Sequence, residues 1–341
     1  MNRRNGERWS MASIQDVARE AKVSVATVSR VINGNCKVRP ETEQMVKEAM
    51  DKFNYHPNFS ARNLRKMETK IVLVLMSTIV NPFLAKVVKG IEDVGEEQGF
   101  HTMLCTTYDD VQREEVYISL LKKRFADGAI LIGTNLKPTE IRKMKGNVPL
   151  VQCSEFIPDI DIPYVTIDNK KAAYDATMHL IGLGRKRIVH ITVDNHMIST
   201  RLRLEGYRQA LDDAGIPFDE NLVIYGNYGY RNAFRIMNEF FQKDVSCDAV
   251  FAISDRMAAG AIRAAQENGR SVPEDIAVVG FDNVDISYIS KPNITTVSQS
   301  EHEMGTAAMN VLGRLISGKE ACEQIILNHE LIIRESTMKG K

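Results

Sequence analysis

The feature that most constrains the fold of this chain is an alternation of short apolar segments with amphipathic ones, which begins near residue 70. Segments such as KIVLVLM (70–76), GAILIG (128–133) and IAVVGFD (276–282) are apolar almost throughout. Between such segments, apolar residues recur at helical spacing, as they do after Pro82. Apolar strands that alternate with helices are typical of parallel sheets covered on both faces. We therefore predict an α/β body.

The alternation continues along most of the body. Further strands are predicted at HTMLCT (101–106), VPLVQC (148–153), YVTID (164–168), RIVHITV (187–193) and CDAVFAI (247–253). Helices are predicted around 112–124, 170–182, 202–214, 256–268 and 301–318. Two sets of such units predict two lobes, with ligands bound beyond the carboxyl ends of the strands. The lobe boundaries are predicted at about 70–168 plus 300–325 for the N-lobe and 169–299 plus 326–338 for the C-lobe.

The first 57 residues follow a different pattern, which predicts three short helices. Ser13 can cap the first helix, and Asp16 lies close to the position that a capping box requires. A second helix is predicted from Ser24 to about Asn33, where a glycine ends it. The third opens at Pro40, and its apolar face is predicted to hold Met45, Val46, Ala49, Met50 and Phe53. Three short helices with a tight turn between the first two form a helix-turn-helix.

The second helix combines branched apolar residues with small polar ones and a single arginine. Its core-facing side is predicted to consist of Val28, Val31 and Ile32. The opposite side, which is free to enter the major groove of DNA, consists of Val25, Ala26, Ser29 and Arg30. Arg30 can donate two hydrogen bonds to guanine, which discriminates by about 1–3 kcal/mol, while Thr27 and Ser29 suit phosphate contacts. The alternative is an ordinary packed helical subdomain.

The charges of the chain are unevenly distributed, although the net charge is zero. Residues 1–70 contain 14 lysines and arginines against 8 aspartates and glutamates, whereas the whole chain has 44 of each kind. The rest of the chain therefore has an excess of acidic groups. A basic head on an acidic body suggests that the head binds a polyanion and that the body does not.

The N-terminal segment and the cysteines narrow the class of protein. Residues 1–11 are predicted to be a disordered extension. Met11 directly precedes the first helix signal, so the true translation start is either Met1 or Met11. Neither a signal peptide nor a window of about eighteen apolar residues is found, so we expect a cytoplasmic protein without membrane contact. The five cysteines are scattered and never form Cys-x-x-Cys, which indicates reduced, mostly buried thiols and neither a disulfide framework nor a zinc site. We expect no metal and no cofactor.

Two other classes of protein are alternatives. An enzyme is disfavoured because the phosphate-binding loop, the His-Glu-x-x-His pair, the nucleophile elbow and the dinucleotide fingerprint are all missing from the sequence. A periplasmic sugar carrier would suit the body alone. It would need a signal peptide, however, and would have no use for a basic three-helix head.

Two segments together resemble the head of the LacI/GalR family of bacterial transcription regulators. They are IQDVAREAKVSVATVSRVING (14–34) and YHPNFSARNLR (55–65), and the resemblance continues to about Thr337. It implies an all-α helix-turn-helix head followed by an α/β, two-lobed, periplasmic-binding-protein-like core with parallel sheets. The implied boundaries are 12–57 for the DNA-binding domain, 58–69 for a hinge helix and linker, and 70–341 for the effector-binding and dimerisation core.

The resemblance also implies how DNA is bound. In this family the hinge becomes helical only on DNA, and a leucine from each of two copies wedges into the central base step of the minor groove. Leu64 occupies that position, so we expect a pseudo-palindromic operator with a flexible central pyrimidine–purine step, CG. The alternative for Leu64 is packing within a short linker helix. The implied DNA contacts are Ser24, Val25, Ala26, Thr27, Ser29, Arg30, Asn33, Tyr55, Asn58, Ala61, Leu64 and Arg65.

The family's core binds a small molecule between its lobes through the loops that follow strands. Here the loops STIVNPF (77–83), SDRM (254–257) and GFDN (280–283) carry polar residues. The implied effector contacts are Ser77, Asn81, Phe83, Arg203, Asp255, Asp282 and Gln299. Carboxylates, an arginine and an aromatic ring suit a sugar or sugar derivative. The structural alternatives are a surface charge for Arg203, a helix cap for Asp255, a loop cap for Asp282 and core packing for Phe83.

We predict a dimeric repressor associated with the bacterial nucleoid, in which the ligand changes the angle between the lobes and hence the spacing of two hinges. No leucine heptads follow ELIIREST to build a tetramer, and a dimer matches a two-fold operator. In one branch of the family an arginine on the last long helix binds a phosphorylated carrier protein. Asn310 holds that position here, and Arg203 replaces a frequent lysine, which favours a directly bound small molecule. Arg314 keeps the phosphoprotein alternative open.

Overall fold

The N-terminal unit is a three-helix head. The computed structural model describes residues 12–32, 38–55, 68–144, 146–243, 245–321 and 323–338, and the chain divides into two compact units after Glu68. The helices of the head are α1 (Ile14–Glu20), α2 (Val25–Ile32) and α3 (Pro40–Lys52). The Ser13 hydroxyl accepts a hydrogen bond from the Asp16 amide at 3.3 Å, and the Asp16 carboxylate accepts one from the Ser13 amide at 3.0 Å. The predicted capping box is therefore confirmed.

The core of the head receives a fully buried valine from each helix, namely Val17, Val28 and Val46. Val31 and Ile32 pack against this core as predicted. The prediction for Met45 is wrong, because its side chain is 46% exposed. Consecutive residues of an α-helix lie about 100° apart, so Met45 lies one step around the helix from Val46, on the solvent side.

The second unit contains two six-stranded sheets, which define an N-lobe and a C-lobe. The elements of the N-lobe are β1 (Ile71–Met76), α4 (Pro82–Glu97), β2 (His101–Thr106), α5 (Val111–Lys122), β3 (Gly128–Ile132), α6 (Pro138–Met144), β4 (Leu150–Cys153), β5 (Tyr164–Ile167), α12 (Glu301–Ile316) and β11 (Gln324–Leu327). Those of the C-lobe are α7 (Asn169–Gly182), β6 (Ile188–Val193), α8 (Ile198–Asp213), a 3₁₀ turn (Glu220–Leu222), β7 (Val223–Gly226), α9 (Tyr230–Phe241), β8 (Ala249–Ala252), α10 (Asp255–Glu267), β9 (Ala277–Phe281), α11 (Ile286–Ile289), β10 (Thr295–Ser298) and β12 (Glu330–Ile332).

The strand order is β11-β5-β4-β3-β1-β2 in the first sheet and β12-β10-β9-β8-β6-β7 in the second. All pairings are parallel except that of β12, which enters the second sheet directly from β11 and lies antiparallel to β10. The predicted parallel α/β architecture is therefore confirmed, with one antiparallel edge. The chain passes between the lobes three times, after β5, after β10 and after β11.

Several elements were not predicted from the sequence. These are α6, α9, α11, β7, β10, β11 and β12, and α8 begins at Ile198, four residues earlier than predicted. Strands β7 and β11 lie at sheet edges and are only partly buried. Their sequences, VIYG and QIIL, are therefore short and lack the long apolar run by which the central strands were recognised.

Helices α4 and α12 touch through two glycines. A Cβ atom on Gly90 would lie 2.1 Å from the carbonyl oxygen of His302, and one on Gly305 would lie 2.0 Å from that of Val87. Both distances are far below any real carbon–oxygen contact. The two helices therefore approach each other backbone to backbone, and only glycine fits at either position.

We expect Gly305→Ala to destabilise the core by about 1–3 kcal/mol, because the added methyl group forces α4 and α12 apart. Urea unfolding of the full chain measures this change. Gly182→Ala is the matched control, since nothing lies within 4 Å of the added atom at the end of α7. It should leave the stability unchanged or raise it by up to about 1 kcal/mol. Equal effects of the two substitutions would contradict the close approach.

Candidate functional site

The loops at the carboxyl ends of the strands of both lobes line one cleft, with a cavity of about 690 Å³. Parallel strands place these loops along a single edge of each sheet, and here the two edges enclose the same space. Six of the seven predicted effector residues lie in the cleft wall. They are Ser77, Asn81 and Phe83 of the N-lobe, Arg203 and Asp282 of the C-lobe, and Gln299 of the crossover after β10.

Arg203 projects from α8 and is buried in the cleft wall. Its Nε donates to the side-chain oxygen of Asn169 at 2.9 Å, and its Nη1 donates to the carbonyl oxygen of Ile253 at 3.0 Å. The guanidinium lies over the ring of Phe281, 3.6 Å from the ring centroid. These contacts fix the guanidinium in one orientation at the cavity, and they rule out the alternative of an exposed surface charge.

Asp282 follows β9 and has a φ of +103°, which is in the left-handed region that side chains rarely occupy. Its carboxylate accepts a hydrogen bond from the side-chain nitrogen of Gln299 at 2.6 Å. Burial raises the pKa of Asp282 to about 7, although the positive charge of Arg203 and the Gln299 hydrogen bond lower it. A strained, buried carboxylate beside an arginine is typical of a binding site.

Asp255 is the predicted effector residue that the structure does not place in the cleft wall. Its fully buried carboxylate accepts hydrogen bonds from the amide of Val284, at 2.8 Å, and from the hydroxyl of Thr296. Burial, together with the negative charge of Asp282, raises the pKa of Asp255 well above its usual value. The N-cap of α10 is Ser254, so Asp255 does not serve as the cap either. In this arrangement Asp255 positions the loop that carries Asp282.

The N-lobe residues contribute through the β1–α4 loop. The side-chain oxygen of Asn81 accepts a hydrogen bond from the Phe83 amide at 3.1 Å and so caps α4. Phe83 is 5% exposed and belongs to the hydrophobic core, although it also reaches the cavity. Ser77 is partly exposed at the end of β1, where its carbonyl oxygen accepts a hydrogen bond from the Tyr108 amide at 2.9 Å.

Sequence reasoning missed the residues that bridge the lobes. Glu155, just after β4 of the N-lobe, accepts hydrogen bonds from the Ser199 amide at 3.1 Å and from the Ser199 hydroxyl, at the start of α8 in the C-lobe. His196 contacts the carbonyl oxygen of Thr134 at 3.3 Å. Burial raises the pKa of Glu155, although the Ser199 hydrogen bonds and the positive charge of Arg203 lower it. The polar residues directly after VPLVQC and RIVHITV could have indicated that Glu155 and His196 line the cleft, but not which residues they contact.

A second group that was missed lies on the C-lobe side of the cleft. Asn195 donates to the Tyr228 hydroxyl at 3.2 Å, and that hydroxyl lies 3.0 Å from the hydroxyl of Thr200. Tyr228 follows β7, which the sequence analysis did not identify. Because β7 was not predicted, the sequence did not indicate that Tyr228 lies in a loop that lines the cleft.

The candidate DNA interface is the solvent side of α2. Ser24, Val25, Ala26 and Arg30 are exposed, while Thr27 and Ser29 are half-buried. The Ser24 hydroxyl accepts a hydrogen bond from the Thr27 amide at 3.2 Å and so caps the helix. Tyr55 packs against the core of the head. The other predicted contacts, Asn33, Asn58, Ala61, Leu64 and Arg65, lie outside the described residues.

Among the described residues, no cluster of three or more histidine, cysteine, aspartate or glutamate side chains could hold a metal ion. None of the helices in that part of the chain has both the length and the apolar character needed to cross a bilayer. Cys105, Cys153 and Cys247 are free, buried thiols.

Comparison with known proteins assigns both the head and the core to one family of bacterial regulators. Residues 13–58 match the family described as "Bacterial regulatory proteins, lacI family", and residues 68–335 match "Periplasmic binding proteins and sugar binding domain of LacI family". The transcriptional regulator RegA of Clostridium acetobutylicum is 39% identical over 331 residues, which cover 95% of this chain and 99% of RegA.

Two solved structures are similar over nearly the whole chain. A complex of the transcriptional regulator CelR with cellobiose has a TM-score of 0.74 and 33% identity, and the match covers 95% of this chain and 99% of CelR. The Lac repressor dimer bound to operator and the anti-inducer ONPF has a TM-score of 0.85 and 25% identity, with coverage of 96% and 99%. These relatives are transcriptional regulators and not enzymes. The chain therefore belongs to the LacI family of bacterial regulatory proteins, as a DNA-binding transcriptional regulator with an effector-binding core.

Proposed function

We propose that this regulator is a repressor that binds a pseudo-palindromic operator as a homodimer in the bacterial cytoplasm, at the nucleoid. A sugar-like ligand between the lobes changes its affinity for DNA. The observation that carries this proposal is the cleft, in which six effector residues expected from the sequence line one cavity of about 690 Å³. The CelR complex supports it, because a protein 33% identical to this chain binds cellobiose.

The head reads the operator through α2. Val25, Ala26 and Arg30 are all exposed on one side of this short helix, where small side chains permit close approach to the bases. Arg30 donates to O6 and N7 of a guanine, and Thr27 and Ser29 contact phosphates. The hinge at 58–65 inserts Leu64 into a central CG step, which bends the operator.

The cleft binds the ligand through groups that are already held in place. The Asp282 carboxylate accepts hydrogen bonds from ligand hydroxyls, the Gln299 amide reaches the same region, and the fixed guanidinium of Arg203 donates to ligand oxygens. Phe83 offers an apolar surface to one face of a sugar ring. Pre-organised groups of this kind bind a ligand without a further cost of ordering side chains.

A homodimer is supported by the apolar edge of the N-lobe. Strand β2 is the last strand of its sheet, and its Met103 and Leu104 side chains are 47% and 42% exposed. Ile79 and Val80, in the loop after β1, are also exposed. Exposed apolar groups on an edge strand favour pairing with a second copy. Two copies in turn match the two-fold symmetry of the operator.

The alternative of control by a phosphorylated carrier protein is not favoured. Asn310 accepts a hydrogen bond from the Gln98 side chain at 3.0 Å, and Arg314 pairs with Glu323 at 2.5 Å. The arginine that had kept this alternative open is therefore engaged within the N-lobe. A free solute-binding protein would have no use for the DNA-binding head.

We expect Arg30→Ala to weaken binding to the operator by about 1–3 kcal/mol and binding to random DNA far less, because Arg30 contacts a base. An operator selected from random DNA by the full-length protein provides the probe, and fluorescence anisotropy at fixed salt provides the two affinities. Arg19→Ala on α1 is the matched control, since it removes the same charge from an exposed position away from α2. Equal losses on both DNAs would refute base contact by Arg30.

We expect a sugar that raises the melting temperature of the full-length protein to change its operator affinity by about 5- to 150-fold. Operator must then change the affinity for that sugar by the same factor. Cellobiose is the first compound to test, and Arg203→Met should abolish the response. Arg201→Met removes a charge from the exposed side of the same helix and should keep it. A sugar that binds without any change in operator affinity would contradict the proposed function.

We expect the affinity for such a sugar to rise about tenfold between pH 6 and pH 8. Burial holds the pKa of Asp282 at about 7, so the carboxylate that accepts ligand hydroxyls is mostly protonated at the lower pH and mostly ionised at the higher one. Isothermal titration calorimetry across this range measures the profile. Asp282→Asn should bind the sugar weakly but with a flat profile, and an unchanged slope in this variant would assign the proton to another group.

A further inference from the structure

We infer that the effector is an uncharged saccharide of at least two rings, and that Glu155 discriminates against phosphorylated and carboxylated sugars. This inference rests on the proposed effector cleft and narrows the class of ligand that it takes. Three observations carry it: the charge of the cleft wall, the capped N-termini of three helices at the cleft, and the length of the row of polar groups that follow the C-lobe strands.

The cleft wall is predominantly acidic. Its carboxyl groups belong to Asp109, Glu114, Glu155, Asp194 and Asp282, of which Asp282, with a pKa of about 7, is partly protonated at neutral pH. Its basic side chains are Arg203, Arg256 and His196. An anionic ligand must therefore approach more carboxylates than guanidinium groups in a space that is partly closed to water, where repulsion between like charges is strong. A neutral polyol has no such penalty, and its hydroxyl groups can donate to the carboxylates.

Three helix N-termini at the cleft are already occupied by oxygens of the protein itself, whereas that of α9, whose N-cap Gly229 lines the cleft, has no side-chain cap. Backbone amides at a helix N-terminus are the usual binding site for a phosphate or carboxylate. At the start of α8 the Ser199 amide donates to Glu155, at the start of α4 the Phe83 amide donates to Asn81, and at the start of α10 the Met257 amide donates to the Ser254 hydroxyl. Glu155 is the one of these three capping groups that carries a charge, so it also repels an incoming anion.

The cations of the wall do not reverse this preference. The guanidinium of Arg203 is fixed by Asn169, by the carbonyl oxygen of Ile253 and by the ring of Phe281. Part of its charge already lowers the pKa of Asp282 and Glu155. Arg256 can still bind an anionic ligand, but the carboxyl groups of the wall outnumber the basic side chains.

The polar groups of the C-lobe form a row that is longer than one sugar ring. Gln299 follows β10, Asp282 follows β9, Ser254 follows β8, Asn195 follows β6 and Tyr228 follows β7. These strands are neighbours in that order, so the strands that carry Asp282 and Tyr228 are separated by three gaps of about 4.8 Å each, or about 14 Å between their backbones. One pyranose ring covers little more than one gap. A ligand that engages both Asp282 and Tyr228 therefore needs at least two rings.

The test compares matched sugars by isothermal titration calorimetry on the full-length protein. The neutral probes are the disaccharides maltose, lactose, cellobiose and trehalose, with glucose and galactose as their single rings. The charged probes are the 6′-phosphates of maltose, lactose and cellobiose, trehalose 6-phosphate, and cellobiouronate, in which a carboxylate replaces one hydroxymethyl group of cellobiose. Each of them gives a neutral probe one anionic group and keeps both of its rings. We expect at least one neutral disaccharide to bind at least tenfold more tightly than its charged counterpart and than either single ring.

Two variants locate the discrimination. In Glu155→Gln the ratio of neutral to charged affinity should fall about tenfold, which corresponds to about 1.4 kcal/mol, because one anion at the start of α8 is removed. Asp194→Asn changes an exposed part of the same wall and should lower the ratio about two- to threefold, independently of the bridge between Glu155 and Ser199. The matched control is Glu267→Gln on α10, an exposed carboxylate that pairs with Arg263 and does not line the cleft. It should keep the ratio of the unchanged protein.

The possible results separate this inference from the proposed function. A charged disaccharide that binds as tightly as its neutral counterpart, or a single ring that binds as tightly as any disaccharide, would overturn the inference and leave a sugar-controlled regulator standing. An unchanged ratio in both Glu155→Gln and Asp194→Asn would overturn the role of the acidic wall. No heat of binding and no change in operator affinity with any neutral or charged sugar would overturn the sugar-like effector as well.

Discussion

Burial of both faces of two parallel sheets is the constraint on which the rest of the core depends. Helices cover each face, and within each sheet all strands except the edge strand β12 run in the same direction, so the loops after these strands emerge at one edge. The three crossings of the chain between the lobes join the sheets so that these two edges enclose one cavity. The chemistry of the site is therefore concentrated in the short segments that follow strands.

The binding site is held in place by a buried carboxylate and by backbone strain, both of which cost free energy. Asp255 is a buried carboxylate with a raised pKa. It accepts a hydrogen bond from the Val284 amide, which lies two residues after Asp282, and Asp282 has an unfavourable φ. Removal of a carboxylate from water costs free energy, which the hydrogen bonds to the Val284 amide and the Thr296 hydroxyl offset. Gly280 has to be a glycine, because a Cβ there would lie 2.4 Å from the Asp255 carboxylate. Stability is thus reduced locally where the protein gains a rigid binding group.

The fold could largely be predicted from the sequence, because its main signals are local. The capping box at Ser13 depends on residues three apart, and the central strands are continuous apolar runs. Edge strands such as β7 were not predicted, because part of their surface faces solvent and their sequence lacks a continuous apolar run. The site was predictable only in part. Glu155 meets Ser199 across 44 positions of sequence, and Asp255 meets Thr296 across 41, so only the folded chain shows that one bridges the lobes and that the other supports a loop.

The bridge from Glu155 to Ser199 and the contact of His196 with Thr134 join the lobes beside the cavity. Any change in the angle between the lobes has to lengthen or break these two contacts. A ligand can drive such a change only through a difference in its own affinity for the two angles. The more strongly the two contacts hold, the larger that difference in affinity has to be before the lobes move.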